Sequence, residues 1–215
     1  RDHYEGTPLD ISKDFGAGPY HTPYRLSPLS FKVGDKEYFN ERPISTQQSG
    51  FVFVAQMRST LPDAIGGVLW FGTDDANMTV FTPVYCCADK VPVCYSRVDG
   101  ADYITFSWNS SFWIFNWVSN MVYPRYDLMI GDVRATQNEL ETTFNEAQEG
   151  IESAAAKLLE KDPAKAKAFL TNYTNMTAQS AFDTWKRLGE FIIVKYNDGV
   201  VRKMKDGKFE RNAIG

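Results

Sequence analysis

The sequence predicts an α+β fold in which strands come first and helices fill the C-terminal half. Three observations support this prediction: a turn-rich opening, a block of apolar strand-like runs, and a long stretch with the spacing of amphipathic helices. The chain has 215 residues, of which 43% are hydrophobic and 23% are charged. It is therefore long enough and apolar enough to bury a full-sized core.

The first fifty residues are rich in Gly, Pro, Ser and Tyr, as in the stretch Gly16-Ala17-Gly18-Pro19. Such residues favour turns and extended chain over helix. We expect residues 1–50 to form a turn-rich segment that wraps over a body made elsewhere. Residues 51–215 are then expected to form a single α+β lobe.

Strands are expected between about residues 51 and 106. Residues 51–57, 67–71 and 79–84 are apolar, aromatic and β-branched, and Pro-Asp and Asp-Asp pairs separate them. Because the runs are nearly continuous rather than alternating, they predict strands that are covered on both faces.

Helices are expected between about residues 111 and 188. Phe112, Phe115, Val118 and Val122 share a helical face, and a similar stripe continues after Pro124 to Leu159. Asp162 followed by Pro163 predicts a helix start, with Asp as the N-cap and Pro in the first turn.

The end of the chain is predicted to contain a further helix and then short strands. The helix is expected over residues 177–188, ending before Gly189. Residues 191–196 are apolar and β-branched, and Asp-Gly pairs follow at 198–199 and 206–207. Such a pattern predicts short strands joined by tight turns.

The charge pattern excludes one class of partner. The formal net charge is −4 and both signs are interspersed, so the chain lacks the basic stripe with which proteins neutralise a phosphate backbone. We expect no nucleic-acid partner.

Hydropathy predicts no membrane span. The longest apolar run, residues 112–118, is interrupted by Asn116 and is far shorter than the ~20 residues of a membrane helix. The sequence opens on polar residues rather than a signal peptide, and the compartment stays open.

Cysteine and histidine offer little recognisable chemistry. Cys86, Cys87 and Cys94 are odd in number and lack the Cys-x-x-Cys spacing of zinc and redox sites, so we expect them to be small buried hydrophobes. The two histidines, His3 and His21, both lie in the opening segment. No metal site is predicted.

Four charged residues near the predicted strands are candidates for substrate contacts. Arg58 directly follows the run 51–57, where it could clamp a carboxylate, stabilise an oxyanion or form a surface ion pair. Asp63, Asp74 and Asp75 fall in the predicted turns, where a substrate could reach them. They either hold a substrate ammonium group or are solvated and bonded to their own backbone.

Several segments together resemble the C-terminal half of the bacterial dipeptidase-A family of cysteine peptidases. The most specific is residues 61–72, Leu-Pro-Asp-Ala-Ile-Gly-Gly-Val-Leu-Trp-Phe-Gly. The others are residues 3–10, 16–20, 106–116, 188–191 and 194–199. The resemblance runs along nearly the whole chain.

This resemblance implies an N-terminal-nucleophile hydrolase with a four-layer αββα fold, of which this chain is a part. In that class a cysteine at the mature N-terminus attacks the peptide carbonyl of a dipeptide. Its own α-amino group serves as the general base, because an α-amine titrates near neutrality. The family needs no metal or organic cofactor.

The sequence departs from the family at the decisive position, because residue 1 is Arg rather than Cys. We therefore expect the chain to be inactive alone and to need the N-terminal half of the same protein as its partner. Arg58 is the candidate catalytic contributor, and Glu5, Asp10 and Asp63 are candidates for substrate binding. A fold cut within its sheets also exposes strand edges and an apolar layer, and we expect copies of the chain to associate through those surfaces.

Two alternatives stay open beside the dipeptidase. The first is a non-catalytic module that binds peptides or glycans through exposed aromatic residues, with Trp70, Trp108, Trp113 and Trp117 as the candidates. The second is an amidase or acylase of the same superfamily that acts on non-peptide amides.

Overall fold

The computed structural model describes residues 4–23, 30–39 and 45–211. The fold class is α+β, as predicted, with strands mostly before the main helices. Arg1, His3 and the Ser27-Pro28 pair lie outside the described residues. Within the described ranges, no helix has the length and apolarity that crossing a bilayer requires.

The described residues contain seven strands and four α-helices, joined by 3-10 turns and loops. The strands are β1 (Ser30–Val33), β2 (Lys36–Phe39), β3 (Phe51–Met57), β4 (Gly67–Thr73), β5 (Thr82–Tyr85), β6 (Met204–Lys205) and β7 (Lys208–Phe209). The helices are α1 (Asp63–Gly66), α2 (Ser111–Val122), α3 (Tyr126–Leu159) and α4 (Pro163–Tyr196).

The main sheet is antiparallel, with the strand order β3-β4-β5. One of its faces packs on the long helices α3 and α4. On this face Trp70 Nε1 donates to Gln56 Oε1 at 3.1 Å, and Gln148 of α3 donates to the same oxygen at 2.8 Å. Tyr85 packs edge-on against Tyr173 of α4.

The opposite face of the sheet is apolar and largely open to solvent. Phe53 pairs with Phe71 across β3 and β4, and the Phe51 ring stacks on Phe71 at 6.0 Å, so these side chains share the face. Phe51, Phe53 and Met57 are 62%, 52% and 67% exposed. The expectation of strands covered on both faces is therefore wrong for β3. We call the side chains of Phe51, Phe53, Met57, Leu69 and Phe71 the open sheet face.

Helices α3 and α4 form an antiparallel hairpin of two 34-residue helices. The hairpin turns at Asp162, whose carboxylate accepts hydrogen bonds from Ala164 N and Lys165 N, both at 3.1 Å. This is the N-cap that the Asp-Pro pair predicts, and it satisfies amide groups that have no partner within the helix.

The prediction that a helix ends before Gly189 is wrong, because α4 continues to Tyr196. Gly189 allows a close approach between two helices: a Cβ at this position would lie 2.3 Å from Cζ3 of Trp117 in α2. The strand predicted for residues 191–196 is also wrong. Ile192 and Tyr196 are buried one helical turn apart, while Ile193 and Val194 between them face solvent.

The largest core cluster lies between α2, α3 and α4. Its centre is Trp185, which is fully buried and stacks on Phe115 with ring centroids 4.7 Å apart. A second cluster joins the sheet to the far half of the hairpin, and includes Val68, Tyr85 and Leu170. Trp70, on the helix-backed face of the sheet, packs against both clusters.

The opening segment, over residues 4–23, consists of turns and one short 3-10 helix, Phe15–Ala17. It reaches the junction of α2 and α3, where Asp127 N donates to Tyr20 O at 3.2 Å. The guanidinium of Arg125 lies 5.8 Å from the centre of the Tyr20 ring. The division of the chain into a wrap, 1–50, and a lobe, 51–215, stays a prediction.

Candidate active-site surface

Arg58 lies between β3 and α1, and all three nitrogens of its guanidinium donate hydrogen bonds. Nη1 and Nη2 donate to the two carboxylate oxygens of Glu152 at 2.7 and 2.6 Å. Nη2 also donates to Ile65 O at 3.2 Å, and Nε donates to Gly66 O at 3.5 Å. The ion pair is only partly exposed, with 23% of the Arg58 side chain and 12% of the Glu152 side chain accessible.

Further donors complete the surroundings of Glu152. Tyr85 OH donates to Oε1 at 3.1 Å, and Gln148 Nε2 donates to the same oxygen at 3.0 Å. The hydrogen bond to Glu152 raises the already high pKa of Arg58, and burial together with the Glu152 charge raises the pKa of Tyr85. This arrangement fixes Arg58 and ties the β3–β4 connection to α3.

Arg58 and Asp63 line one surface depression of about 420 Å³. Asp63 is the first residue of α1 and is exposed. Cys86, which follows β5, lines the same depression and is also exposed. Two of the four predicted site residues thus line the same depression, while the Arg58 guanidinium is engaged by Glu152 and by two carbonyls. Their roles in catalysis and binding stay predictions.

Glu5 and Asp10 lie in the turns of the opening segment. Asp10 accepts hydrogen bonds from Gly6 N at 3.0 Å and from Ser12 N and Oγ at 2.9 and 2.6 Å. The Ser12 hydroxyl, followed by the backbone amides, lowers the pKa of Asp10 to about 2. Glu5 is exposed. Burial raises the pKa of Tyr126, and the Glu5 charge adds to that rise. The contacts of Asp10 are those of a turn cap, and its predicted role in substrate binding stays a prediction.

The adjacent aspartates after β4 are buried, so the expectation that a substrate could reach Asp74 and Asp75 is wrong. Asp74 accepts from Asn116 Nδ2 at 2.9 Å and from Ser119 Oγ at 2.8 Å, both in α2. Burial raises the pKa of Asp74 to about 7. Asp74 also has a positive φ of 67°, a conformation that Asp and Asn tolerate better than most residues.

Asp75 belongs to the same buried network. It accepts hydrogen bonds from the hydroxyls of Ser45 and Tyr123, and from Asn77 N at 3.0 Å. Together the two aspartates attach the end of β4 to α2 and to Tyr123 in the connection between α2 and α3. Their contacts are those of a structural joint.

The three thiols have different surroundings, and the expectation that all are buried is wrong for Cys86. Cys86 is exposed, Cys87 is partly buried and Cys94 is buried. Burial raises the pKa of Cys87 and raises that of Cys94 to about 12, which disfavours the thiolate. The ring of His21 lies elsewhere, with Nδ1 3.0 Å from Ser12 O.

The tryptophans divide between core and surface. Trp185 is buried, and Trp70, Trp113 and Trp117 are partly buried. Trp108 is 49% exposed and packs edge-on against Phe106 and Trp117. One exposed tryptophan therefore remains available for the binding-module alternative.

Comparison with known families identifies the chain. The described residues form an α+β fold with a helix-backed sheet, and the family that the sequence matches is of the N-terminal-nucleophile type. The model of Peptidase family C69 matches residues 1–139, and the chain therefore belongs to this family of peptidases. The resemblance to the dipeptidase-A family is confirmed by this match. A search of the curated proteins gives no match.

Sequence reasoning missed several residues of this surface. Glu152, the partner of Arg58, lies 94 positions away on α3 and carries no local signal. Tyr85 and Gln148 were missed for the same reason. The one signal in the sequence is that Glu152 falls within a predicted helix, where a carboxylate on the packed side would need a cationic partner.

Proposed function

We propose that this chain is part of a dipeptidase whose nucleophile is an N-terminal cysteine outside residues 1–215. The family match over residues 1–139 carries the proposal, since the family comprises peptidases. The thiol environments support it, because burial suppresses ionisation of Cys87 and Cys94. None of the three cysteines carries a free α-amine that could act as its base.

The open sheet face supports the proposed partner, the N-terminal half of the same protein. In a sandwich, two sheets pack about 10 Å apart through apolar inner faces, while helices cover the outside. Phe51, Phe53 and Met57 offer such a face, and α3 and α4 already cover the other side. A second sheet that carries the cysteine would cover these side chains and complete the four layers.

Complementation tests this proposal. The N-terminal half, starting at its cysteine, is produced together with residues 1–215 and assayed on a panel of dipeptides. We expect hydrolysis by the pair, none by either half alone, and none when the N-terminal cysteine is replaced by serine. Hydrolysis that survives the serine replacement would contradict the proposed nucleophile.

The same assay separates the amidase alternative. N-acyl amino acids and other non-peptide amides are offered to the complemented pair beside the dipeptides. Faster cleavage of the non-peptide amides, measured as kcat/KM, would favour the amidase or acylase and would contradict the dipeptidase.

A second candidate function is a peptide- or glycan-binding module, and the observation that favours it is the exposed Trp108. If Trp108 binds such a ligand, oligosaccharides or peptides should quench tryptophan fluorescence in the isolated chain, and Trp108→Ala should remove the quenching. Trp185→Phe, at a fully buried position, is the matched control.

A further inference from the structure

One cavity lies at the end of the open sheet face, beyond the residues that the sequence singled out. It has a volume of about 310 Å³, which is within the range of small-molecule sites. Phe51 and Phe71 of the sheet line it together with Tyr95, Tyr103 and Phe112. The Phe71 and Tyr95 rings meet edge-on with centroids 5.1 Å apart. The cavity is therefore walled mainly by aromatic surface.

A pair of opposite charges stands on the rim of this cavity. Arg97 Nη2 donates to Asp102 Oδ2 at 3.2 Å, and both residues line the cavity. The Arg97 side chain is 76% exposed and that of Asp102 is 31% exposed. Such surface pairs contribute about 0–1 kcal/mol, so a ligand that offers better partners to each charge can separate them.

Asp102 is held in a fixed position by a tight turn. Asp102 and Thr105 exchange backbone hydrogen bonds at 3.2 and 3.3 Å, and Ile104 N donates to Asp102 Oδ1 at 3.1 Å. From α2, Trp113 Nε1 donates to Asp102 O at 2.9 Å and to Thr105 O at 2.8 Å. Asp102 Oδ1 thus accepts from Ile104 N, Oδ2 accepts from Arg97, and the Thr105 side chain adds a further hydrogen bond to this carboxylate.

Arg97, in contrast, carries its charge on a long side chain that is 76% exposed. It lies between two 3-10 turns, Val93–Tyr95 and Val98–Gly100, and Asp102 is the partner of its guanidinium among the contacts described for it. A long, exposed Arg side chain beside a fixed carboxylate has the reach to accommodate ligands whose two charged ends are several ångströms apart.

We propose that this cavity binds a short zwitterionic peptide, with its α-ammonium on Asp102, its α-carboxylate on Arg97 and an apolar side chain between the aromatic walls. An extended dipeptide spans at most about 7 Å, which is of the order of a cavity of this size. Arg binds carboxylates through two parallel hydrogen bonds, and a carboxylate accepts charge-assisted bonds from an ammonium group. A dipeptide has a charged ammonium and a charged carboxylate within a few ångströms of each other, whereas an internal segment of a protein chain has neither end charge.

This inference rests on the proposed function, because it names the surface that would select dipeptides for the missing nucleophile. The cavity adjoins Phe51 on the open sheet face. A second sheet on that face would therefore bring its groups to the rim of the cavity. Arg97 and Asp102 are proposed as binding residues, with no part in bond cleavage.

The test measures binding by residues 1–215, where no turnover is expected. Alanyl-phenylalanine is titrated into the chain and followed by amide chemical shifts and by tryptophan fluorescence. Its N-acetylated form and its C-terminal amide serve as probes with one charge removed. We expect shift changes for residues around the cavity, and each blocked probe should bind at least about tenfold more weakly than the free dipeptide, because one charge-assisted contact is lost.

Two variants test which charged end of the dipeptide binds Arg97 and which binds Asp102. Arg97→Ala should weaken binding of the free dipeptide and abolish the preference for the free carboxylate over the C-terminal amide, while the preference for the free ammonium over the N-acetylated form persists. Asp102→Asn should abolish the preference for the free ammonium, while the preference for the free carboxylate persists. Lys165→Ala, which removes a similarly exposed charge on α4, should leave all affinities unchanged. Shift changes elsewhere, or preferences that both variants keep, would overturn the assignment.

Failure of this inference and failure of the proposed function give different results. If the complemented enzyme cleaves dipeptides while Arg97→Ala and Asp102→Asn leave its KM unchanged, the cavity assignment is wrong and the proposed function stands. If the isolated chain binds dipeptides through this cavity but the complemented pair does not cleave them, the proposed function is wrong and the binding site stands.

Discussion

The Arg58 guanidinium and the Glu152 carboxylate form a two-point ion pair, with N–O distances of 2.7 and 2.6 Å, between the end of β3 and the C-terminal part of α3. Arg58 also donates to the carbonyls of Ile65 and Gly66, so the same guanidinium closes the β3–β4 connection. The geometry makes Arg58 a structural link, whatever further part it has near a substrate.

Removing either member of this pair should destabilise the chain. Arg58→Ala and Glu152→Ala each leave the partner charge partly buried, and we expect a loss of about 1–3 kcal/mol in the free energy of unfolding. Urea denaturation measures the loss, and Lys165→Ala is a control at an exposed ion pair. Equal stability of Arg58→Ala and the parent chain would refute the structural role.

The same pair of variants separates structure from catalysis at Arg58. In the complemented enzyme, a purely structural link predicts similar decreases in kcat/KM for Arg58→Ala and Glu152→Ala. A catalytic Arg58 predicts a much larger loss for Arg58→Ala, measured where both variants are fully folded. An unchanged kcat/KM for Arg58→Ala would remove Arg58 from the candidate catalytic residues.

Asp74 should make stability depend on pH. Burial raises its pKa from 3.8 to about 7, so between these values the folded chain holds a proton that the unfolded chain has lost. The contribution of Asp74 is therefore fully present below about pH 4 and is lost as the pH rises through 7. We expect Asp74→Asn, which keeps an acceptor and tolerates the positive φ, to lessen the decrease in unfolding free energy between pH 5 and pH 8.

The control for this prediction is Asp63→Asn, at an exposed carboxylate. It should retain the pH dependence of the parent chain. If Asp74→Asn retains that dependence as well, Asp74 does not carry the proton.

Gly189→Ala should destabilise the packing of α4 on α2. The new Cβ would lie 2.3 Å from the Trp117 ring, and the expected cost of about 1–3 kcal/mol exceeds the gain in helix propensity of about 1 kcal/mol. Gly150→Ala in α3 is the matched control, since nothing lies within 4 Å of the added Cβ, and it should be neutral or stabilising. Thermal unfolding of both variants provides the comparison, and a stabilised Gly189→Ala would contradict the packing described.

The isolated chain should associate through the open sheet face. Light scattering should give a mass above 24.4 kDa, and Phe53→Asp should lower it, because a charge on an apolar contact face opposes burial. Met176→Asp, at an exposed position on α4, should leave the mass unchanged. A monomeric parent chain at high concentration would show that this face does not drive association.

Local rules predicted the parts of the fold that local contacts determine. The N-cap at Asp162 could be predicted because the Asp162 carboxylate binds the backbone amides of Ala164 and Lys165, which lie two and three residues further along the chain. Gly189 shows the limit of such rules. Its low helix propensity predicted a helix end, but the Trp117 ring from another helix occupies the space where a side chain would be.

The candidate site was less accessible to sequence reasoning. Arg58 could be singled out because it follows a strand, whereas Glu152 and Asp102 acquire their partners only through tertiary packing. Asp74 and Asp75 looked accessible because Asp-Asp pairs are typical of solvated turns. Hydroxyl and amide donors from α2 and its neighbours make their burial tolerable instead.

The decisive measurement for the proposed nucleophile is dipeptide hydrolysis by residues 1–215 alone, with and without prior treatment by iodoacetamide. We expect no turnover in either sample, because the proposed nucleophile lies outside this chain. Turnover that alkylation abolishes would show that Cys86, Cys87 or Cys94 is catalytic, and would contradict the proposed mechanism.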